Sequence, residues 1–243
     1  MRNVIFSIVV LFFLSGAQAT LIERKYGSYF TLTMDCDERA AVKFDYLLWQ
    51  DRYNHPRPSG YYQDGELPSA CRQFRTRSYY GYDSRFVRGH LVTSNHMDFS
   101  DRAIRMANYM SNILPQHQTF NNGAWAKTEE LAECYRDLIN VRVIGGPLYL
   151  QGSGNQFVNS HGVRTPSHFW KVLIQQERSG RVADAIAWII PNSSAAHSYA
   201  LDDFIVSINE VEQVSDFSIP VPSSLRYFQH AESWEKPRGC DPS

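Results

Sequence analysis

The chain has 243 residues, 43% of them hydrophobic and 20% charged, with a formal net charge of −1. That is enough apolar material for one globular domain with its own core. It excludes disorder, collagen-like repeats and a protein that coats nucleic acid by bulk positive charge. A locally basic cleft stays open, because binding follows where charges sit rather than their sum.

At the amino end, Arg2, an apolar run from Val4 to Leu14 and small residues closing at Ala17-Gln18-Ala19 have the layout of a secretory signal. A membrane span needs about 20 apolar residues, and Ser15-Gly16 ends this run sooner. No Cys follows the expected cut to carry a lipid. The expectation is a signal peptide over 1–19 and one domain over 20–243. The mature form would be secreted or periplasmic, with no membrane association. Cys36, Cys71, Cys134 and Cys240 then suggest two disulfides. Three pairings are open; the one that keeps the first bridge local and ties down the tail is Cys36–Cys71 with Cys134–Cys240.

Residues 26–50 cluster apolar groups as early strands, and 54–65, rich in Pro, Gly and Tyr, read as a loop. Residues 72–88 are basic and aromatic. A helix is expected over 101–109, capped by Ser100 or Asp101, until Pro115 interrupts. A second runs from about Asn122 to Ile139. Val141 to Ile144 is a short strand ended by Gly145-Gly146-Pro147, and 151–160 reads as a surface loop. Phe169 to Ile174 and Ala185 to Ile190 are buried strands around a turn at Ser179-Gly180. Phe204 to Ile208 leads into a short helix. Strands and helices segregate, which makes the class α+β in a single domain.

Two segments could carry chemistry. Arg88-Gly89-His90 offers a residue that can deprotonate water near neutral pH, a planar cation for phosphate and a glycine that permits close backbone approach. The triplet alone is weak. It is followed by Ser111-Asn112-Ile113-Leu114-Pro115-Gln116, then by Asn121-Asn122-Gly123-Ala124-Trp125 and Glu129. With these in order, residues 80–217 resemble the DNA/RNA non-specific endonuclease family, the ββα-metal nucleases. Weaker echoes follow at Gly145 to Tyr149, Pro166 to Lys171, Ile190 to Asn192 and Ser207 to Glu212.

The resemblance implies a ββα-metal nuclease fold, with a mixed or antiparallel sheet and flanking helices. It implies that His90 is the general base and that Asn121 is the single direct protein ligand of Mg²⁺, with Mn²⁺ as an alternative. An ion with most positions filled by water suits Mg²⁺, which dehydrates reluctantly. Taken alone, Asn121 reads as a helix N-cap, a task Asn122 could take instead. In a regular helix Asn121 and Glu129 stand about 12 Å apart along the axis, which assigns Glu129 to a metal-bound water or a phosphate-binding Arg. Arg88 would contact phosphate or support His90. Arg72, Arg75, Arg77 and Arg85 could track the nucleic-acid backbone without reading sequence. Tyr79, Tyr80 and Tyr82 could stack on bases, though partial burial is the commoner state of such residues. Asn112 and Gln116 read mainly as backbone braces, with Asn112 also a substrate-side candidate. Of the eight histidines, those other than His90 show no metal-ligand spacing.

Two departures from the family pattern stand out. Val87 replaces the acidic residue before Arg-Gly-His, and Glu133 stands where some relatives carry a basic residue. The implied substrates are DNA and RNA, with a homodimer or an inhibitor protein as further partners. Val87 motivates an alternative, a catalytically degenerate nucleic-acid-binding protein of the same fold. A hydrolase of another phosphodiester would instead need a closed pocket.

Overall fold

The computed structural model describes residues 20–150 and 156–240. The expected signal peptide and part of the expected 151–160 loop therefore lie outside the described residues. No described helix is long and apolar enough to cross a membrane.

A meander opens the fold: β1 (Leu21–Tyr26), β2 (Phe30–Asp35) and β3 (Ala40–Leu48) pair antiparallel in turn. The chain then leaves the sheet. It makes a two-stranded ribbon from β4 (Phe86–His90) and β5 (Ile113–His117), with α1 (Asp101–Ala107) between them. Next come the single turn α2 (Gln118–Phe120), a wide turn over Asn121–Trp125 and α3 (Ala126–Arg136). It returns as β6 (Asn140–Leu148), which pairs directly with β3. After the small ribbon of β7 (Phe157–Val158) and β8 (Val163–Arg164), the sheet continues through β9 (His168–Gln176), β10 (Val182–Pro191) and β11 (Ile205–Val206). Its order is β1-β2-β3-β6-β9-β10-β11, with every neighbour antiparallel. Helices α4 (Ile208–Ser215) and α5 (Ser223–Arg226) follow.

The sheet is covered on both faces, so its central strands are mostly apolar, with Lys171 of β9 a buried exception. On β9, Phe169 and Leu173 face the larger core with Trp125, Phe44 and Trp188. Trp170, Val172 and Ile174 face the second core with Ile208 and Val211 of α4. Helix α4 starts with a complete capping box between Ser207 and Glu210. The bridges Cys36–Cys71 and Cys134–Cys240 both form, as the locality argument favoured.

The strands β5 and β6 differ from the sequence reading. Pro115 does not interrupt: it sits inside β5, opposite Arg88 in an isolated two-stranded ribbon, where an edge position tolerates its missing N–H. The Val141 strand does not stop at Gly145-Gly146 but runs through Pro147 to Leu148. The glycines are there because the neighbours leave no room. A Cβ on Gly145 would lie 2.3 Å from Phe44 Cζ, and one on Gly146 only 2.2 Å from the Val42 carbonyl oxygen. Backbone cannot yield as a side chain can, so Gly146→Ala is expected to lower stability by roughly 1–3 kcal/mol in denaturant unfolding. A neutral result would mean the β3–β6 seam is looser than this packing.

Candidate active site

Strand β4 ends on His90, whose position is fixed from several sides. Its backbone carbonyl accepts from Gln116 Nε2 at 3.3 Å and from Trp125 Nε1 at 3.2 Å. Gly89 makes the first bond possible, because a Cβ there would stand 2.1 Å from the Gln116 side chain. The close approach expected of this glycine is to Gln116, for whose side chain it leaves room. That amide's Oε1 is buried without a described partner.

The His90 ring is 8% exposed. Its Nε2 lies 2.9 Å from Asn108 Oδ1 and its Nδ1 lies 3.3 Å from Arg57 Nη2. A guanidinium can only donate, so Nδ1 carries the lone pair and Nε2–H donates to Asn108. Burial, then Arg57 and Arg88, hold the ring's pKa down at about 3, against the bond to Asn108. Asn108 also donates from Nδ2 to the carbonyls of Pro58 and Gly60, each at 3.0 Å. One amide therefore orients the imidazole and anchors the loop that delivers Arg57.

Arg88 donates from Nη1 to the Thr76 carbonyl at 2.8 Å and lies 3.8 Å over the Tyr61 ring. This brings the 75–77 loop beside the site. Arg75 and Arg77 are exposed there, on an open cavity of about 570 Å³. The other basic candidates differ. Arg72 is spent on the Leu67 carbonyl at 2.6 Å, and Arg85 is exposed but pairs with Asp83 at 2.6 Å. Tyr79 is core, bonded to Gln73 Oε1 at 2.8 Å, and Tyr82 bonds Gln156 Oε1 at 2.6 Å.

Asn112 is corrected outright as a substrate-side group. It is fully buried, accepting from Val92 N and donating to the carbonyls of Val92 and Ala107. It braces the irregular segment that follows His90.

Asn121 and Asn122 are not N-caps, since the helical segment begins earlier, where His117 Nδ1 accepts from Thr119 N at 3.2 Å. The continuous helix expected from Asn122 is broken at Gly123 (φ −106°, ψ −112°), and regular α-helix covers only Ala126–Arg136. The 12 Å axial spacing assumed a helix that is not continuous. Asn121 is half-buried, and its amide nitrogen donates to Asn122 Oδ1 at 2.7 Å. Its own oxygen is the group it can offer a ligand.

Glu129 lies in the first turn of α3, with Oε1 3.8 Å from Lys171 Nζ. Burial raises its pKa, against Lys171, Thr93 and Arg57. Lys171 breaks the apolar pattern of β9: it is 1% exposed, 3.5 Å over the Trp125 ring, and without a hydrogen-bond partner among the described residues. Burial lowers its pKa to about 8. Glu133, the second departure from the family pattern, is buried rather than solvated. It is buried against Arg136 at 3.0 Å, which in turn holds Asp51 at 2.6 Å.

Among the described residues no three His, Cys, Asp or Glu converge as a metal cage. The Asn121 side chain offers a neutral amide oxygen, a donor that fits a hard cation keeping most of its water.

The sequence profile of the DNA/RNA non-specific endonucleases matches residues 14–223. The chain belongs to the DNA/RNA non-specific endonuclease family. It is 30% identical over 177 residues to "Endonuclease G, mitochondrial" of Bos taurus, covering 65% of this chain and 58% of that protein. Against "Nuclease EXOG, mitochondrial" of Mus musculus it is 30% identical over 167 residues, 63% of this chain and 44% of that one. The chain spans about half the length of these curated relatives. A solved EndoG/EndoGI complex superposes with a TM-score of 0.65 at 23% identity, over 81% of this chain and 84% of that chain, a likeness of fold. The endonuclease-family fold here is α+β with an antiparallel sheet, as the motifs implied.

Arg57, Asn108 and Lys171 escaped the sequence reading. Each left a trace: Arg57 is framed by Pro56 and Pro58, Asn108 ends the first helix, and Lys171 is a lone charge in an apolar strand.

Two outcomes are expected. Gly89→Ala should cost roughly 1–3 kcal/mol by displacing Gln116, and Gly89→Ala/Gln116→Ala should recover part of it. Strictly additive losses in denaturant unfolding would place the clash elsewhere. The second concerns pH. An unfolded His titrates near 6.5 and His90 near 3 when folded, so the unfolded chain binds the extra proton between those values. Stability should fall as pH drops through that window, by at most about 1.4 kcal/mol per pH unit from this group. His90→Asn should show a shallower decline, and an unchanged slope would assign the effect to other groups.

Proposed function

We propose that this chain is an endonuclease that hydrolyses phosphodiester bonds in DNA and RNA with little sequence preference, using a divalent metal ion. The observation that carries the reading is the His90 site: a buried imidazole with its lone pair on Nδ1, beside Arg57.

His90 Nδ1 takes the proton of the attacking water, while Nε2–H stays on Asn108 and fixes the tautomer. A pKa near 3 keeps the base free before substrate arrives. The phosphate's negative charge, entering beside Arg57, offsets the cations that lower it. Arg57 and Arg88 supply donors for the charge that develops on the non-bridging oxygens. Asn121 would hold Mg²⁺ or Mn²⁺ directly and Glu129 through water, and the bound ion would stabilise charge on the phosphate and the departing 3′ oxygen. Arg77 and Arg75 would contact backbone phosphates, which carry no sequence information. Arg85 could do so only by giving up Asp83.

Two disulfides suit an oxidising compartment. They support reading residues 1–19 as a secretory signal and 20–243 as the exported domain, secreted or periplasmic. The solved neighbour is an EndoG/EndoGI complex concerned with EndoG inhibition; an inhibitor protein is a partner class for this chain too.

The test is digestion of supercoiled plasmid and structured RNA by the oxidised 20–243 chain with Mg²⁺, Mn²⁺ or EDTA. Both substrates should be cut, and chelation should stop cutting. His90→Ala should lose roughly 10²–10⁴-fold in rate, and Arg57→Ala on the order of 10²-fold. A folded chain that binds DNA and cuts nothing would instead fit the degenerate binding protein that Val87 motivates.

A further inference from the structure

The wide turn that carries Asn121 is overlaid by a second segment. Gly123 has no side chain because a Cβ would meet the Ala196 carbonyl oxygen at 2.5 Å, and Ala124 N donates to that oxygen at 3.1 Å. This seam fixes the 196–199 segment beside the turn. A cavity of about 410 Å³ opens at the seam, lined by Arg85, His117, Asn122, His197 and Ser198 among others. Asn122 links it to the site, since its side-chain oxygen accepts from Asn121. Ser198 also lines a second cavity of about 320 Å³, with Tyr199, Lys127 and Lys236.

Between the two cavities stand a pair of rings. His197 and Tyr199 stack with centroids 5.0 Å apart and planes 7° from parallel. Both are exposed, and Tyr199, at 84%, is the most exposed large hydrophobic residue among those described. The core gains nothing from a ring held this way. An aromatic pair that is flat, mounted on a fixed backbone and open to solvent presents what a nucleobase stacks on, and such stacking is indifferent to base identity. The flanking cavities are mixed in charge: Arg85 pairs with Asp83, and Lys127 and Lys236 both pair with Glu130, so a phosphate there competes with those pairs and the stacked rings carry the inference.

We propose that His197 and Tyr199 form a stacking platform for an unpaired nucleobase of the strand being cut, next to the Asn121 turn. The inference rests on the nuclease reading and narrows its substrate class. A base inside a duplex cannot reach a protein ring, so the platform favours single-stranded or locally opened nucleic acid.

The test uses a short labelled oligodeoxythymidylate, binding followed by anisotropy, and the non-cutting His90→Ala background. Adding Tyr199→Ala should weaken binding roughly 5- to 100-fold, and Tyr199→Phe in its place should restore most of it. A probe of equal length with abasic residues should bind the Tyr and Ala forms alike. No loss with Tyr199→Ala, or an equal loss on the abasic probe or on a duplex, overturns the platform. Exposure of Tyr199 makes misfolding easy to check by thermal melting. Plasmid digestion by the unsubstituted chain separates the two ideas. Cutting without ring-dependent binding removes the platform alone. Ring-dependent binding without cutting removes the nuclease reading alone.

Discussion

The bond from His90 Nε2 to Asn108 Oδ1 does two jobs at once. It settles which ring nitrogen faces the cleft, and it makes Asn108 the common anchor of the imidazole and the Pro58–Gly60 loop. The position of Arg57, which adds to burial in lowering the proton affinity of His90, follows from that shared anchor. Ser94 tightens the arrangement by donating to the same Asn108 oxygen at 3.1 Å. Imidazole and guanidinium are thus set by one amide that is itself fully buried. Preorganisation of this kind lets donors act without rearranging as charge develops.

Charge is buried on the other side of the site as well, and there it is managed by pairing. Lys171 stands under Trp125 and near Glu129. Beyond it, Glu133, Arg136 and Asp51 form a chain of ion pairs that also touches His96, 3.5 Å from Glu133. Such groups are costly to desolvate, and burial raises the pKa of Glu133 to about 7. They hold α3 against the sheet with directional contacts, where an all-apolar face would leave its rotation less defined.

Much of this was legible in the residues themselves. His90, Arg88, Asn121 and Glu129 stand out because their order along the chain matches a pattern, and the structure places His90 and Arg88 at one site. The buried strands around Ser179-Gly180 were visible from continuous apolar runs bounded by turn residues. What stayed hidden depends on contacts across long separations. Arg57 is 33 positions from His90, and no local period announces that pairing. Asn112 is the backbone brace expected of it and misled only as a substrate-side candidate, because an amide beside a motif reads the same whether it faces solvent or closes three internal hydrogen bonds. The helix at Asn122 was misread because nothing in the local sequence reveals that the 196–198 backbone presses on Gly123.

Strands β3 and β6 are neighbours in the sheet, yet residues 49–139 lie between them in the chain. His90, Arg57, Asn108, Asn121 and Glu129 all belong to that single excursion. The outer strands, β1 on one edge and β11 on the other, contribute none of them. Substitution therefore falls unequally on this molecule. Away from the Gly145–Gly146 seam and Lys171, the sheet can accept apolar exchanges that keep its thickness, whereas the excursion admits few, because its amides and glycines have tasks fixed by geometry. An ancestral sequence could lose most of its identity along the edges while short words such as Arg-Gly-His survived, which is the form in which kinship is still readable here.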